Sequence, residues 1–209
     1  AGELVFDGDP VGAARGVSVA ELRRQVQMVF QDSYSSLNPR MPVQDSVAFG
    51  PMVNGHAKPE ARRIAQEILV KVGLRPDLFG PRYPHELSGG QQQRVGVARA
   101  VAAEPKLLLM DEPFGALDPI IRAKAQADLV ALQRRLGITV VLVTHDMEEA
   151  ILLGHRIGVM DRGRLLQYAP PAELLADPAP GYVARLMGRA DRPFPVSYTH
   201  LRAHETGRN

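Results

Sequence analysis

Leu87-Ser88-Gly89-Gly90-Gln91-Gln92-Gln93-Arg94 decides how this chain is read. A hydroxyl residue followed by two glycines lets the main chain approach an anion closely, and the helix that follows adds its dipole. Alone, a Gly-Gly pair marks only a turn. Its weight comes from what lies downstream: the apolar run Leu107-Leu108-Leu109-Met110 ending in Asp111-Glu112, and then Val143-Thr144-His145-Asp146. In that order, a backbone anion cradle, two carboxylates and an imidazole come from loops that can converge on one ligand. No G-x-x-x-x-G-K-S/T phosphate loop occurs in the 209 residues.

Outward from these motifs, hydrophobic periodicity assigns the elements. Leu4-Val5-Phe6 before Asp7-Gly8 reads as a hairpin edge, and Val26–Phe30 as a second short strand. Residues 31–42 read as polar loop. Residues 43–87 carry helical signals, with Pro59 at a helix start and Ile64, Ile68, Leu69 and Val72 at helical spacing. Val95, Ala98 and Val101 predict a helix over 91–103. The run 106–111 fits a strand buried on both faces of a parallel sheet, whose carboxyl end is where an open α/β sheet places ligands. A helix over 119–136, with Ile121, Ala125, Leu129, Leu132 and Leu136 on one face, leads to a strand over 138–144 and completes a right-handed crossover. Helix 147–153, strand 156–160, the turn Asp161-Arg162-Gly163 and strand 164–168 follow. The fold class is therefore α/β with a mainly parallel sheet.

Composition narrows the function classes. With 45% hydrophobic residues the chain can bury a core, yet its longest apolar run near the middle is far short of the roughly 20 residues a membrane span requires. A net charge of +2 with scattered basic pairs such as Arg23-Arg24 and Arg134-Arg135 argues against a nucleic-acid stripe. With no cysteine there is neither a disulfide nor a thiolate metal site.

The chemistry follows from residue type and position. Asp111, at a strand exit, is suited to order Mg²⁺ that bridges phosphate oxygens, and Glu112 to orient or deprotonate an attacking water. An isolated Asp-Glu pair would merely end a strand, and an isolated histidine at a strand end is more often structural. His145 is set apart because it emerges at the same sheet edge as Glu112. Asp118 before Pro119 is a natural helix N-cap.

As a set these motifs resemble the signature, Walker B and switch-histidine elements of ATP-binding cassette (ABC) ATPases, over roughly residues 1–188. The resemblance implies a P-loop NTPase-like nucleotide-binding domain with a parallel core sheet, an antiparallel edge subdomain and a helical subdomain at about 43–103. It implies ATP and Mg²⁺ as ligands, with Glu112 and His145 catalytic. Ser88, Gly89, Gly90, Gln91, Gln31 and Asp118 would be nucleotide-binding, and Asp111 and Gln31 metal-binding. Gln31, in Val29-Phe30-Gln31-Asp32, is similar to the family glutamine whose loop touches the membrane partner, and Asp118 to the loop that acts across the dimer. The implied partners are a second ATPase subunit in a head-to-tail dimer, transmembrane permease subunits and a substrate-binding protein, with no nucleic acid. The implied location is peripheral, on the cytoplasmic face of the inner or plasma membrane.

Within the family, Asp111-Glu112-Pro113-Phe114-Gly115-Ala116-Leu117-Asp118 is similar to importer sequences. Residues 91–122 with Gln167-Tyr168-Ala169 resemble osmoprotectant (glycine betaine, choline) ATPases, whereas residues 30–40 resemble dipeptide and oligopeptide importers. A cassette ATPase of DNA repair or translation is the rival class, but the 31–88 interval has no room for the long arm such proteins carry. A nucleotide-independent interaction domain is a third reading. The missing initiator Met and phosphate loop lead us to expect a fragment lacking its Walker A part, partly unfolded or aggregating and inactive alone. Residues 189–209 are expected to form a tail, of which 196–209, with His200 and His204, is expected to be non-native.

Overall fold

The computed structural model describes residues 3–13, 15–30, 36–115 and 117–190. The Gln31 assignment and the tail histidines His200 and His204 lie outside the described residues. The chain divides into two compact units, 1–145 and 146–209, each treated by itself.

The first unit opens with the antiparallel pair β1 (Val5–Phe6) and β2 (Asp9–Pro10). Asp7 and Gly8, at φ 55° and 91°, form the two-residue turn between them, as the Asp-Gly pair predicts. Helix α1 (Val19–Gln25) is closed at its start by a capping box between Ser18 and Glu21. Strand β3 (Val26–Val29) follows directly. The helical part comprises α2 (Val43–Val53), α3 (Lys58–Lys71), α4 (Pro76–Phe79) and α5 (Gly89–Ala102). Its core is made of small and branched residues: Val47 and Ala48 of α2, Ala61, Ala65 and Leu69 of α3, and Val95 and Ala98 of α5, each at most 1% exposed. Small side chains at these crossings let the helix axes approach closely. Helix α5 begins two residues earlier than periodicity predicts, because Ser88 serves as its N-cap and both glycines enter its first turn.

Strand β4 (Leu107–Asp111), helix α6 (Pro119–Leu136) and strand β5 (Thr139–Val143) form the crossover expected from the sequence. Gly137, at φ 64°, ends α6 in the left-handed conformation that glycine adopts most easily. The parallel sheet runs β3-β4-β5, with Met28, Leu109 and Val141 aligned across it, as are Val29, Met110 and Leu142.

The expectation that β4 is buried on both faces is corrected. Its residues alternate: Leu108 and Met110 are buried, while Leu107, Leu109 and Asp111 are only half-buried. On the half-open face the neighbouring Met28, Val141 and Val143 are 39%, 46% and 57% exposed. Among the described residues one face of this apolar sheet is packed and the other is accessible.

The second unit consists of α7 (Met147–Leu153), the antiparallel pair β6 (Ile157–Asp161) and β7 (Arg164–Ala169), α8 (Pro171–Ala176) and α9 (Tyr182–Ala190). Arg162 and Gly163, both at positive φ, make the hairpin turn. Ile157, Val159, Ala169, Leu174, Val183 and Met187 form its core.

Candidate functional site

The carboxyl ends of β4 and β5 assemble the site. Asp111 is the last residue of β4 and pairs in register with Val143, the last of β5, so Glu112 and His145 leave neighbouring strands at the same edge. His145 Nδ1 and Glu112 Oε1 lie 2.8 Å apart. The histidine side chain is 77% exposed and that of Glu112 28%, so the pair has one open side facing solvent and one seated in the protein.

Glu112 is held unusually. Its φ of 41° lies in the left-handed region, which costs a residue with a Cβ on the order of 1–3 kcal/mol unless the surroundings over-determine it. Three ties supply that determination. Its N–H donates to the carbonyl of Val143 at 2.9 Å, its own carbonyl accepts from the Gly115 N–H at 3.2 Å, and the next carbonyl, of Pro113, accepts from Gln93 Nε2. The strain turns the glutamate side chain out of the strand line and toward His145.

The glycine-fronted turn lies at the start of α5. Ser88 and Gly89 are exposed and Gly90 is half-buried. A methyl at Gly89 would meet nothing within 4 Å, whereas one at Gly90 would stand 3.2 Å from Ile121 Cγ2 on α6. Gly89 therefore leaves the main chain open, and Gly90 permits close approach of α6. The three glutamines that follow do different work. Gln91 Oε1 accepts from the Ser88 N–H at 3.0 Å, Gln92 Nε2 donates to the carbonyls of Pro84 and Leu87, and Gln93 crosses to Pro113. Gln91, read as a nucleotide contact, has its side-chain oxygen engaged in helix capping.

Asp118 caps α6, its Oδ1 accepting from the Ile121 N–H at 3.1 Å. Arg94 of α5 pairs with Asp128 of α6 at 2.7 Å. Arg99 of α5 donates to the Ser36 carbonyl, and burial pushes its guanidinium below the usual arginine value. Asp111, Glu112 and His145 thus share one edge. Ser88, Gly89 and Gly90 occupy a separate turn, joined to that edge through Gln93, a residue that sequence reasoning passed over. Asp111 has no ion-pair partner among the described residues, and no group of three or more His, Cys, Asp or Glu there could hold a metal unaided.

Strands that deliver two acids and a histidine to one edge, behind a glycine-fronted helix, define an α/β nucleotide-handling domain. The chain belongs to the ABC transporter family, whose profile matches residues 1–115. It is 44% identical over 188 residues to the glycine betaine/carnitine/choline transport ATP-binding protein OpuCA of Bacillus subtilis, covering 90% of this chain and 46% of that protein. It is 40% identical over 197 residues to the oligopeptide transport ATP-binding protein OppF of the same organism, covering 93% and 64%. Among solved structures it resembles cbiO1 of Clostridium perfringens, part of the ABC transporter complex cbiONQ. The TM-score is 0.73 and the identity 32%, over 83% of this chain and 67% of that one. The chain spans about half the length of the osmoprotectant relatives it matches.

Proposed function

We propose that the chain is part of the ATP-binding and hydrolysing subunit of an ABC importer for osmoprotectants of the glycine betaine and choline type. The observation that carries the hydrolytic part of this reading is the Glu112–His145 pair, 2.8 Å apart at the sheet edge closed by Asp111, and the osmoprotectant part rests on the likeness to OpuCA. Glu112 is the base that takes a proton from the attacking water, and it is kept near that water by its strained turn. His145 Nδ1 holds the carboxylate in place, and its exposed ring hydrogen-bonds the terminal phosphate. The open main chain at Ser88 and Gly89, with Gly90 and the α5 dipole, receives phosphate oxygens of a nucleotide held by a second, head-to-tail subunit. Asp118 acts across the same dimer.

The donor set suits Mg²⁺, because one carboxylate without an ion-pair partner at a strand end, completed by substrate phosphates and water, is how that ion is commonly bound. Asp111, with Gln31, would hold it. When bound, Mg²⁺ neutralises charge on the phosphate oxygens. Among the described residues no helix is long and apolar enough to cross a membrane. Permease subunits supply the pathway and a substrate-binding protein supplies the cargo, so the chain works peripherally at the cytoplasmic face and needs no nucleic acid.

Oligopeptide import is the second reading, supported by the likeness to OppF and by residues 30–40. Uptake of labelled glycine betaine, choline and a tripeptide by source cells carrying Glu112→Gln in the chromosomal copy separates the two. Loss of betaine or choline uptake alone supports the osmoprotectant reading, and loss of peptide uptake alone supports the second. Retention of all three overturns both.

A further inference from the structure

Gln93 combines burial, isolation and position in a way that none of the assigned roles uses. It is 5% exposed inside α5, in the turn of helix that follows Ser88-Gly89-Gly90. Its Nε2 donates to the carbonyl of Pro113, twenty residues on, while its Oε1 has no partner among the described residues. Around it lies a small pocket of about 40 Å³ lined by Val97, Met110, Phe114, Leu129 and Leu132, with the Arg94–Asp128 ion pair also on its wall. A hydrogen bond made by a buried amide is electrostatically stronger than one made in water.

That bond reaches the residue next to Glu112. The other two ties on the strained turn are backbone bonds from within the turn itself and from β5. The Gln93 bond is a side-chain tie to the turn's backbone, and it comes from the helix that carries the glycine-fronted turn. We propose that Gln93 is a positioning residue for Glu112, linking the anion-binding start of α5 to the turn that presents the water-activating carboxylate. This rests on the reading of Glu112 as the base. In a head-to-tail dimer the link would let the α5 turn, engaged on one nucleotide, register in the geometry of the base serving the other.

The test needs no nucleotide, so its failure is distinct from failure of the ATPase reading. In the 209-residue chain, Gln93→Met keeps length and apolar volume but removes the donor. Amide hydrogen exchange at Glu112 and Gly115 should become about tenfold faster, the loss of one hydrogen bond of ordinary worth. The His145 imidazole NMR signals should move, while exchange at Leu108 in β4 stays within about twofold of the parent. Val97→Ala trims the same pocket without touching the bond. It should lower the thermal midpoint while leaving Glu112, Gly115 and His145 as in the parent. An unchanged 112–115 turn in Gln93→Met, or the same selective loosening in Val97→Ala, would overturn the proposal. If Gln93→Met does not fold, the scalar coupling across the hydrogen bond between Gln93 Nε2 and the Pro113 carbonyl in the unmutated chain decides. Its presence supports the link and its absence refutes it.

Discussion

Strand β4 carries Asp111 and leads into Glu112, so what holds it in place sets the precision of the whole edge. Leu108 is fully buried in this central strand, and Val143 of the adjacent β5 is 57% exposed on the opposite face. Leu108→Ala removes three carbons, about 2.4 kcal/mol at about 0.8 kcal/mol each. The cavity left behind brings the loss to about 3–5 kcal/mol, the range typical of fully buried leucines. Val143→Ala removes two carbons, about 1.6 kcal/mol at full burial, which an exposure of 57% reduces to about 0.7 kcal/mol. Against a domain stability of roughly 5–15 kcal/mol, the first change is severe and the second mild. Urea unfolding followed by circular dichroism reads both as shifts of midpoint at constant slope. Equal losses for the two variants would refute the assignment of one packed and one accessible sheet face.

Asp118→Ala should cost about 1 kcal/mol through loss of the α6 N-cap, while Asp118→Asn keeps an acceptor and should cost little, as thermal denaturation of the two variants would reveal. The side-chain hydrogen bond from Ser18, followed by its backbone bond, holds the Glu21 carboxyl below the ordinary glutamate value. A depressed folded-state value contributes stability that is present above the unfolded value and is lost as pH falls through the folded one. Amide exchange across α1 should therefore accelerate on acidification, and Ser18→Ala should flatten that dependence.

The βαβ crossover was legible because its signals are local: an apolar run ending in acids, a capped helix closed by Gly137, and a second apolar run. Both two-residue hairpin turns were legible from Asp7-Gly8 and Arg162-Gly163. Helix α1 was passed over although Ser18-x-x-Glu21 is a capping-box spacing, and α8 and α9 were passed over because Pro170, Pro171, Pro178 and Pro180 break the stretch leading up to Val183 and Met187 into short segments. The open face of β5 was hidden, since Thr139-Val140-Val141-Leu142-Val143 is apolar at nearly every position whichever side is covered. Asp111, Glu112 and His145 were legible as strand-end polar residues after apolar runs, and the structure brings them to one edge. Gln93 was not legible. Three consecutive glutamines look alike in sequence, and only the packing around α5 distinguishes the capping Gln91 from the buried Gln92, bonded to Pro84 and Leu87, and the buried Gln93, bonded to Pro113.

In the proposed reading, Glu112, paired with His145 and flanked by Asp111, is the hydrolytic centre of an importer ATPase. Its most direct test is steady-state ATP turnover by the intact subunit with its permease, comparing the parent with Glu112→Gln. Loss of a general base should lower turnover by about 10²–10⁴-fold while ATP binding persists, because the carboxamide retains an oxygen for His145. Turnover within about twofold of the parent would contradict the account, since far larger losses are typical when a general base is removed.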